Sequence, residues 1–156
     1  MGHNESRNGA RPRRQTPVTG VAYLVDTAVL AYAVGGEYPR RTECQGVVTA
    51  AISGRIELHA SVEMVQEFVV HRMRRISRSS AVRQARDVAQ LCVLHDCDAG
   101  VLQTALDLIA DIDGIGGRDA VHAATAIRHG LSTIISPDRA FDVIPGLRRI
   151  EPATAL

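Results

Sequence analysis

The sequence contains no lysine: all 18 of its basic side chains are arginine. That absence excludes several ways of handling phosphate. A phosphatase of the haloacid-dehalogenase kind and a phosphoacceptor receiver domain both use a lysine beside the aspartate that follows their first strand. The former also wants Asp-x-Asp, where this chain reads Asp26-Thr27-Ala28. A P-loop switch needs Gly-x4-Gly-Lys, which does not occur. Tryptophan is absent too, and three tyrosines and two phenylalanines are all the aromatics, too few for an extensive base-stacking platform. No run of about 18 apolar residues is present, which argues against a membrane-spanning helix. The Arg-rich start lacks the apolar stretch of a secretory signal. The three cysteines, Cys44, Cys92 and Cys97, are odd in number and lack Cys-x-x-Cys spacing. They read as packed thiols of a reduced, cytoplasmic protein.

What is present suits one domain. A chain of 156 residues with 46% hydrophobic content can bury a single sizeable core. Its net charge of +1 selects no partner by itself. Residues 1–17, rich in Gly, Asn, Arg, Pro and Gln, read as a disordered basic leader. Residues 18–156 read as a single domain.

Within that domain strands and helices alternate. Val21–Val25 is a short apolar run, expected to be a strand buried on both faces. Asp26 can cap a helix over 27–34, which Gly35-Gly36 stops. Further helices are expected over 41–53 and 62–75, from Ser79-Ser80 to about Gln90, after Asp98, and over 118–129 up to Gly130. Strands are expected at 56–60, 91–95, 132–136 and 147–150. The alternation predicts an α/β fold, a mostly parallel sheet with helices on both faces.

In such a sheet, ligands bind beyond the carboxyl ends of the strands. Asp26 directly follows the first strand, and Asp138 follows the strand at 132–136 after Pro137. Asp119 opens the Ala-rich helix behind a Gly-Gly hinge, and Glu67 lies on the helix after the second strand, between Val65 and Phe68. Singly, Asp26 reads as an N-cap, Asp119 as a first-turn acid, Asp138 as a turn aspartate and Glu67 as a surface acid. Crowded together they raise one another's pKa, which a hard divalent cation relieves. Mg²⁺ or Mn²⁺ takes oxygen ligands, orients water and neutralises charge on a phosphodiester. The pattern points to metal-dependent phosphodiester hydrolysis.

From Tyr23 to Pro152 the chain resembles a PIN domain of the VapC-type toxins. The matching pieces are Leu24-Val25-Asp26-Thr27, Ser61 with Glu67-Phe68, Arg118-Asp119-Ala120-Val121-His122-Ala123-Ala124, Ile134-Ile135-Ser136-Pro137-Asp138-Arg139 and Ile144-Pro145-Gly146-Leu147. The resemblance implies a PIN fold and a Mg²⁺- or Mn²⁺-dependent endoribonuclease with Asp26, Glu67, Asp119 and Asp138 as catalytic, metal-binding quartet. By the same analogy Ser136 supports the site. Pro137 departs from the usual pattern by stiffening the Ser-x-Asp turn and removing an N–H. The resemblance further implies an RNA substrate, a cognate antitoxin that covers the site, and a homodimer. The alternative is an inactive PIN-like module that binds RNA or protein.

Secondary candidates surround this set. Thr27 can hydrogen-bond a ligand water or, as its first reading, cap its helix. His122, three residues after Asp119, reads first as a packing histidine. Asp142 shares a face with Asp138 if that stretch is helical. His95-Asp96-Cys97-Asp98 looks like a ligand cluster but lacks zinc spacing. Residues 68–86 hold six arginines and no acid, and Arg72, Arg74, Arg75 and Arg78 are candidates for RNA phosphates. The groove between the helices at 41–53 and 62–75 is the expected seat of the antitoxin.

Overall fold

The computed structural model describes residues 20–156. The leader expected over 1–17, and the domain start near Val18, lie outside the described residues. Among those described, five strands alternate with six α-helices: β1 (Val21–Val25), α1 (Thr27–Val34), α2 (Arg41–Ile52), β2 (Ile56–Ser61), α3 (Val62–Met73), α4 (Arg78–Leu91), β3 (Val93–His95), α5 (Ala99–Asp111), α6 (Gly117–Arg128), β4 (Thr133–Ile135) and β5 (Arg148–Ile150). The strands form one sheet in the order β3-β2-β1-β4-β5, and every pairing is parallel rather than most of them.

Local chemistry explains most of the boundaries. Ser61 and Asp98 turn back to accept from Met64 N at 3.1 Å and Val101 N at 2.9 Å, opening α3 and α5. Helix α4 begins earlier than the Ser79-Ser80 pair suggests, because Ser77 is the cap and accepts from Ser80 N at 3.2 Å. Leu91 belongs to α4, so β3 is shorter than expected. Helix α6 closes at His129, and the positive φ of Gly130, 69°, lets the chain reverse into β4.

Leu24, Val25, Leu58, Ile134 and Ile135 on the central strands are essentially fully buried, as are Leu30, Met64, Phe68 and Phe141 around them. Each such side chain contributes about 1.5–3 kcal/mol over an exposed one. Strands β1 to β3 step one way across the sheet, and β4 and β5 step the other. Right-handed crossovers therefore place α1–α4 on one face and α5–α6 on the other. A small cluster of Val101, Ala105, Ala120 and Ala124 lets α5 and α6 approach closely.

The direction of stepping reverses between β1 and β4, the place where an open α/β sheet leaves a crevice beyond its strand ends. Asp26 N donates to Ile135 O at 3.0 Å across this junction, so the two strand ends are joined where their acids emerge.

Candidate active site

One pocket of about 760 Å³ occupies the crevice, and Asp26, Glu67, Asp119 and Asp138 all line it. Four elements that are distant in sequence supply them: the end of β1, the middle of α3, the first turn of α6 and the turn after β4.

Asp26 is the most deeply set, with 8% of its surface exposed. One oxygen accepts from Ser136 Oγ at 2.6 Å, and the other lies 3.5 Å from Ala28 N at the head of α1. Burial raises its pKa, while the Ser136 hydroxyl and then His122 pull it back. Ser136 is fully buried, and its Oγ also accepts from Asp138 N at 2.9 Å. This hydroxyl thus joins two of the acids and holds the stiff Pro137 turn against β1. Asp138 accepts in turn from Ala140 N at 2.9 Å.

Asp119 makes the crowding evident. Burial raises its pKa, and the nearby carboxylates of Asp138 and Asp26 raise it further. A Cβ on Gly116 would stand 2.9 Å from Asp119 Oδ2, so the glycine before α6 is what leaves room for this carboxylate. Glu67 behaves differently. Arg118 Nη1 donates to Oε1 at 2.6 Å, Thr27 Oγ1 donates to Oε2 at 3.3 Å, and His122 Nε2 lies 3.3 Å from Oε2. The His122 contact is the largest reason its pKa is lowered, with Arg118 adding to it. Thr27 therefore serves Glu67, while the cap of α1 is Asp26.

The remaining candidates divide. His122 is buried beside the acids, with Nδ1 unpartnered. Asp142 lies on a 3-10 turn (Arg139–Val143), whose tighter repeat removes the shared face with Asp138. Its oxygens are held by Arg149, at 2.6 Å from Nε, outside the pocket. Arg72 corrects the picture of a uniformly basic arm. It is 5% exposed, its Nε donates to Gln84 Oε1 at 2.8 Å, and Nη2 donates to Val34 O at 3.4 Å. It knits α3 to α4 and α1, whereas Arg74, Arg75 and Arg78 stay exposed. His95 stacks between His59 and His129, with ring centroids at 5.0 and 3.9 Å, while Asp98 caps α5, so that stretch is no ligand cluster. The expected groove is also displaced. The apolar trough on the α1–α4 face is bounded by α2 and α4 with α1 beneath, through Val48, Ala51, Ile52, Val88, Leu91, Leu30 and Val34.

Sequence reading missed Arg118, Tyr32 and His71, which also line the pocket. The signals were helical spacing: Tyr32 follows Ala28 by four on α1, and His71 follows Glu67 by four on α3.

Residues 23–147 match the model of the PIN domain family. The chain is a member of the PIN domain family. Two of its relatives, both from Mycobacterium tuberculosis strain ATCC 25618 / H37Rv, bear on how far that similarity runs. Ribonuclease VapC7 is 33% identical over 134 residues, which cover 85% of this chain and 92% of the relative. Ribonuclease VapC13 is 30% identical over 132 residues, covering 81% and 98%. Among solved structures, a toxin-antitoxin complex from Klebsiella pneumoniae shares the fold with a TM-score of 0.64 and 19% identity, covering 83% of this chain and 97% of that one. The pocket of this PIN domain thus sits where the parallel sheet changes direction, on the side where the strands end.

Proposed function

We propose that this PIN domain is a metal-dependent endoribonuclease and the toxin of a toxin–antitoxin pair. The observation that carries the reading is the gathering of Asp26, Asp119 and Asp138 in one pocket, where burial raises the pKa of the first two and the carboxylates of Asp138 and Asp26 add to the rise at Asp119. The donor set suits Mg²⁺ or Mn²⁺. The acids around the pocket offer hard carboxylate oxygens, and no cysteine lines it. Among the described residues no three His, Cys, Asp or Glu side chains already close on one point. The carboxylates would therefore draw in around an ion as it bound, with retained waters filling the rest of its shell.

Asp26, Asp119 and Asp138 would hold the ion, and Glu67 completes the acidic set on the α3 side. When bound, the ion supplies an activated water and neutralises charge on the scissile phosphodiester. The chain's own groups do the rest. Ser136 opposes the effect of burial on the Asp26 carboxylate and aims it. Arg118 and Arg139 line the mouth and offer guanidinium forks to phosphate oxygens. His122 fixes Glu67 from the wall.

Two partners follow from the surface. A cognate antitoxin would seat an apolar segment in the α2–α4 trough, by analogy with the relatives that occur in toxin–antitoxin complexes. A second copy would cover the exposed stripe Leu102, Leu106 and Ile109 on α5, which are 52%, 50% and 43% exposed at helical spacing. No helix among the described residues is long and apolar enough to cross a membrane, and the three unpaired cysteines suit a reducing compartment, the cytoplasm.

The test is incubation of the antitoxin-free protein with total cellular RNA in Mg²⁺, Mn²⁺ or EDTA, beside Asp26→Asn and Asp119→Asn, with new 5′ ends mapped. Discrete cuts that need metal and vanish in both variants support the nuclease. Metal-independent cuts, or cuts that persist in both variants, overturn it. A folded protein that binds RNA without cutting it points to the binding-module alternative.

A further inference from the structure

The acid pocket continues into a second cleft of about 310 Å³ through Ala31 and His71, which line both. Its walls include Tyr38, His71 and Arg75. The chain has only five aromatics, and Phe68 and Phe141 are fully buried in the core. Tyr38 is 41% exposed, the most open of the five. It is nevertheless fixed, because its ring stacks on Tyr32 with centroids 4.8 Å apart and planes 27° from parallel. Tyr32 in turn lines the acid pocket. The turn that brings Tyr38 back over α1 depends on Gly35, where a Cβ would lie 2.8 Å from Ala31 O and 3.4 Å from the Tyr38 ring. In the same cleft Arg75 Nη1 donates to His71 O at 3.2 Å and approaches His71 Nδ1 at 3.3 Å. Burial, then Arg75, lower the His71 pKa.

An ordered aromatic face, an imidazole and an exposed guanidinium, one step from a pocket of carboxylates, suit a nucleotide. The base takes the ring, and its phosphate takes the arginine. We propose that this cleft is a nucleobase subsite: an unpaired base flanking the scissile phosphodiester of an RNA strand stacks on Tyr38, with Arg75 holding the adjoining phosphate. The proposal rests on the nuclease reading and sharpens it. It makes the substrate single-stranded at the cut, since a base inside a duplex has no free face to offer. Few aromatics suffice for this, because one pre-stacked pair serves one base.

The test uses a fluorescein-labelled single-stranded RNA spanning a mapped cut, bound to protein in an Asp119→Asn background so that the strand stays intact. Tyr38→Ala is expected to weaken binding by on the order of tenfold, as loss of one base–aromatic stack does, and Tyr38→Phe to leave it within about twofold. An abasic site scanned along the strand should weaken binding at one position next to the cut. That same substitution should cost the Tyr38→Ala protein nothing further. The scan uses unaltered Tyr38, so it decides the matter even if Tyr38→Ala folds poorly. Arg75→Gln should weaken all sequences alike and flatten the salt dependence. If no abasic position matters beside the cut and Tyr38→Ala binds like its parent, the subsite is refuted while cleavage by the intact protein leaves the nuclease standing. If the intact protein cuts no RNA, the nuclease reading falls first and the subsite falls with it.

Discussion

Removing the Ser136 hydroxyl should expose how the site keeps an ionised carboxylate in a buried place. Ser136→Ala deletes two hydrogen bonds, the 2.6 Å donation to Asp26 and the 2.9 Å acceptance from Asp138 N. The first goes to a charged acceptor at a fully buried serine and contributes about 1.5–3 kcal/mol. The second is easily replaced by water, because Asp138 is exposed. A net loss of about 2 kcal/mol follows, or roughly 4–8 °C in Tm for a chain of this size. The loss should depend on pH. Burial raises the folded pKa of Asp26 above 3.8, so between the unfolded and folded values the native state holds the proton more tightly. Stability therefore falls as pH rises through that window, and Ser136 offsets part of the fall only where Asp26 is ionised. The cost of Ser136→Ala should then be full at neutral pH and shrink as pH drops through the folded pKa. In an Asp26→Asn background it should shrink to about 1 kcal/mol at neutral pH, the worth of a neutral hydrogen bond. Urea melts of the four proteins at neutral and acidic pH measure this directly. A cost that is the same in both backgrounds and at both pH values would refute the reasoning. The acid limb of any metal-dependent cleavage should also move to higher pH in Ser136→Ala.

Asp119→Asn removes a carboxylate that burial and two like charges oppose. It should abolish cleavage while the metal-free protein melts no lower than its parent, checked by parallel calorimetry and RNA digestion. Arg72→Ala should destabilise by about 2 kcal/mol, because it strands Gln84 and the Val34 carbonyl. Arg78→Ala should leave stability within about 0.5 kcal/mol, and denaturant melts of the pair separate a buried tie from a surface charge.

Much of this was legible along the chain. The run Val21–Val25 ends in an aspartate, and Ile134-Ile135 ends in Ser-Pro-Asp, so a parallel sheet alone brings the two acids to one edge. Helix caps read well where one side chain governs them, as Asp98 does, and less well where three serines compete, as at Ser77. The inward turn of Arg72 was not legible. Helical spacing places it on a face, but only the nonlocal packing of α3 on α4 and α1 decides that the face is covered. The same limit hid the His59–His95–His129 stack, whose rings come from β2, β3 and the end of α6. It also hid the engagement of Glu67, since Arg118 lies far along the chain. Tyr38 was invisible as a binding group because counting aromatics says nothing about where the exposed one stands.

The order of the strands has a consequence for synthesis. Strand β1 is made early, yet its neighbour β4 comes more than a hundred residues later, and Asp26 is anchored through Ile135 and Ser136. Loop closure over that separation comes late in folding. A nascent chain that has not yet reached β4 carries the first acid but neither its hydroxyl support nor Asp138. The acid pocket is therefore completed only when the last strands have been made, and a partly translated chain lacks its full set of carboxylates.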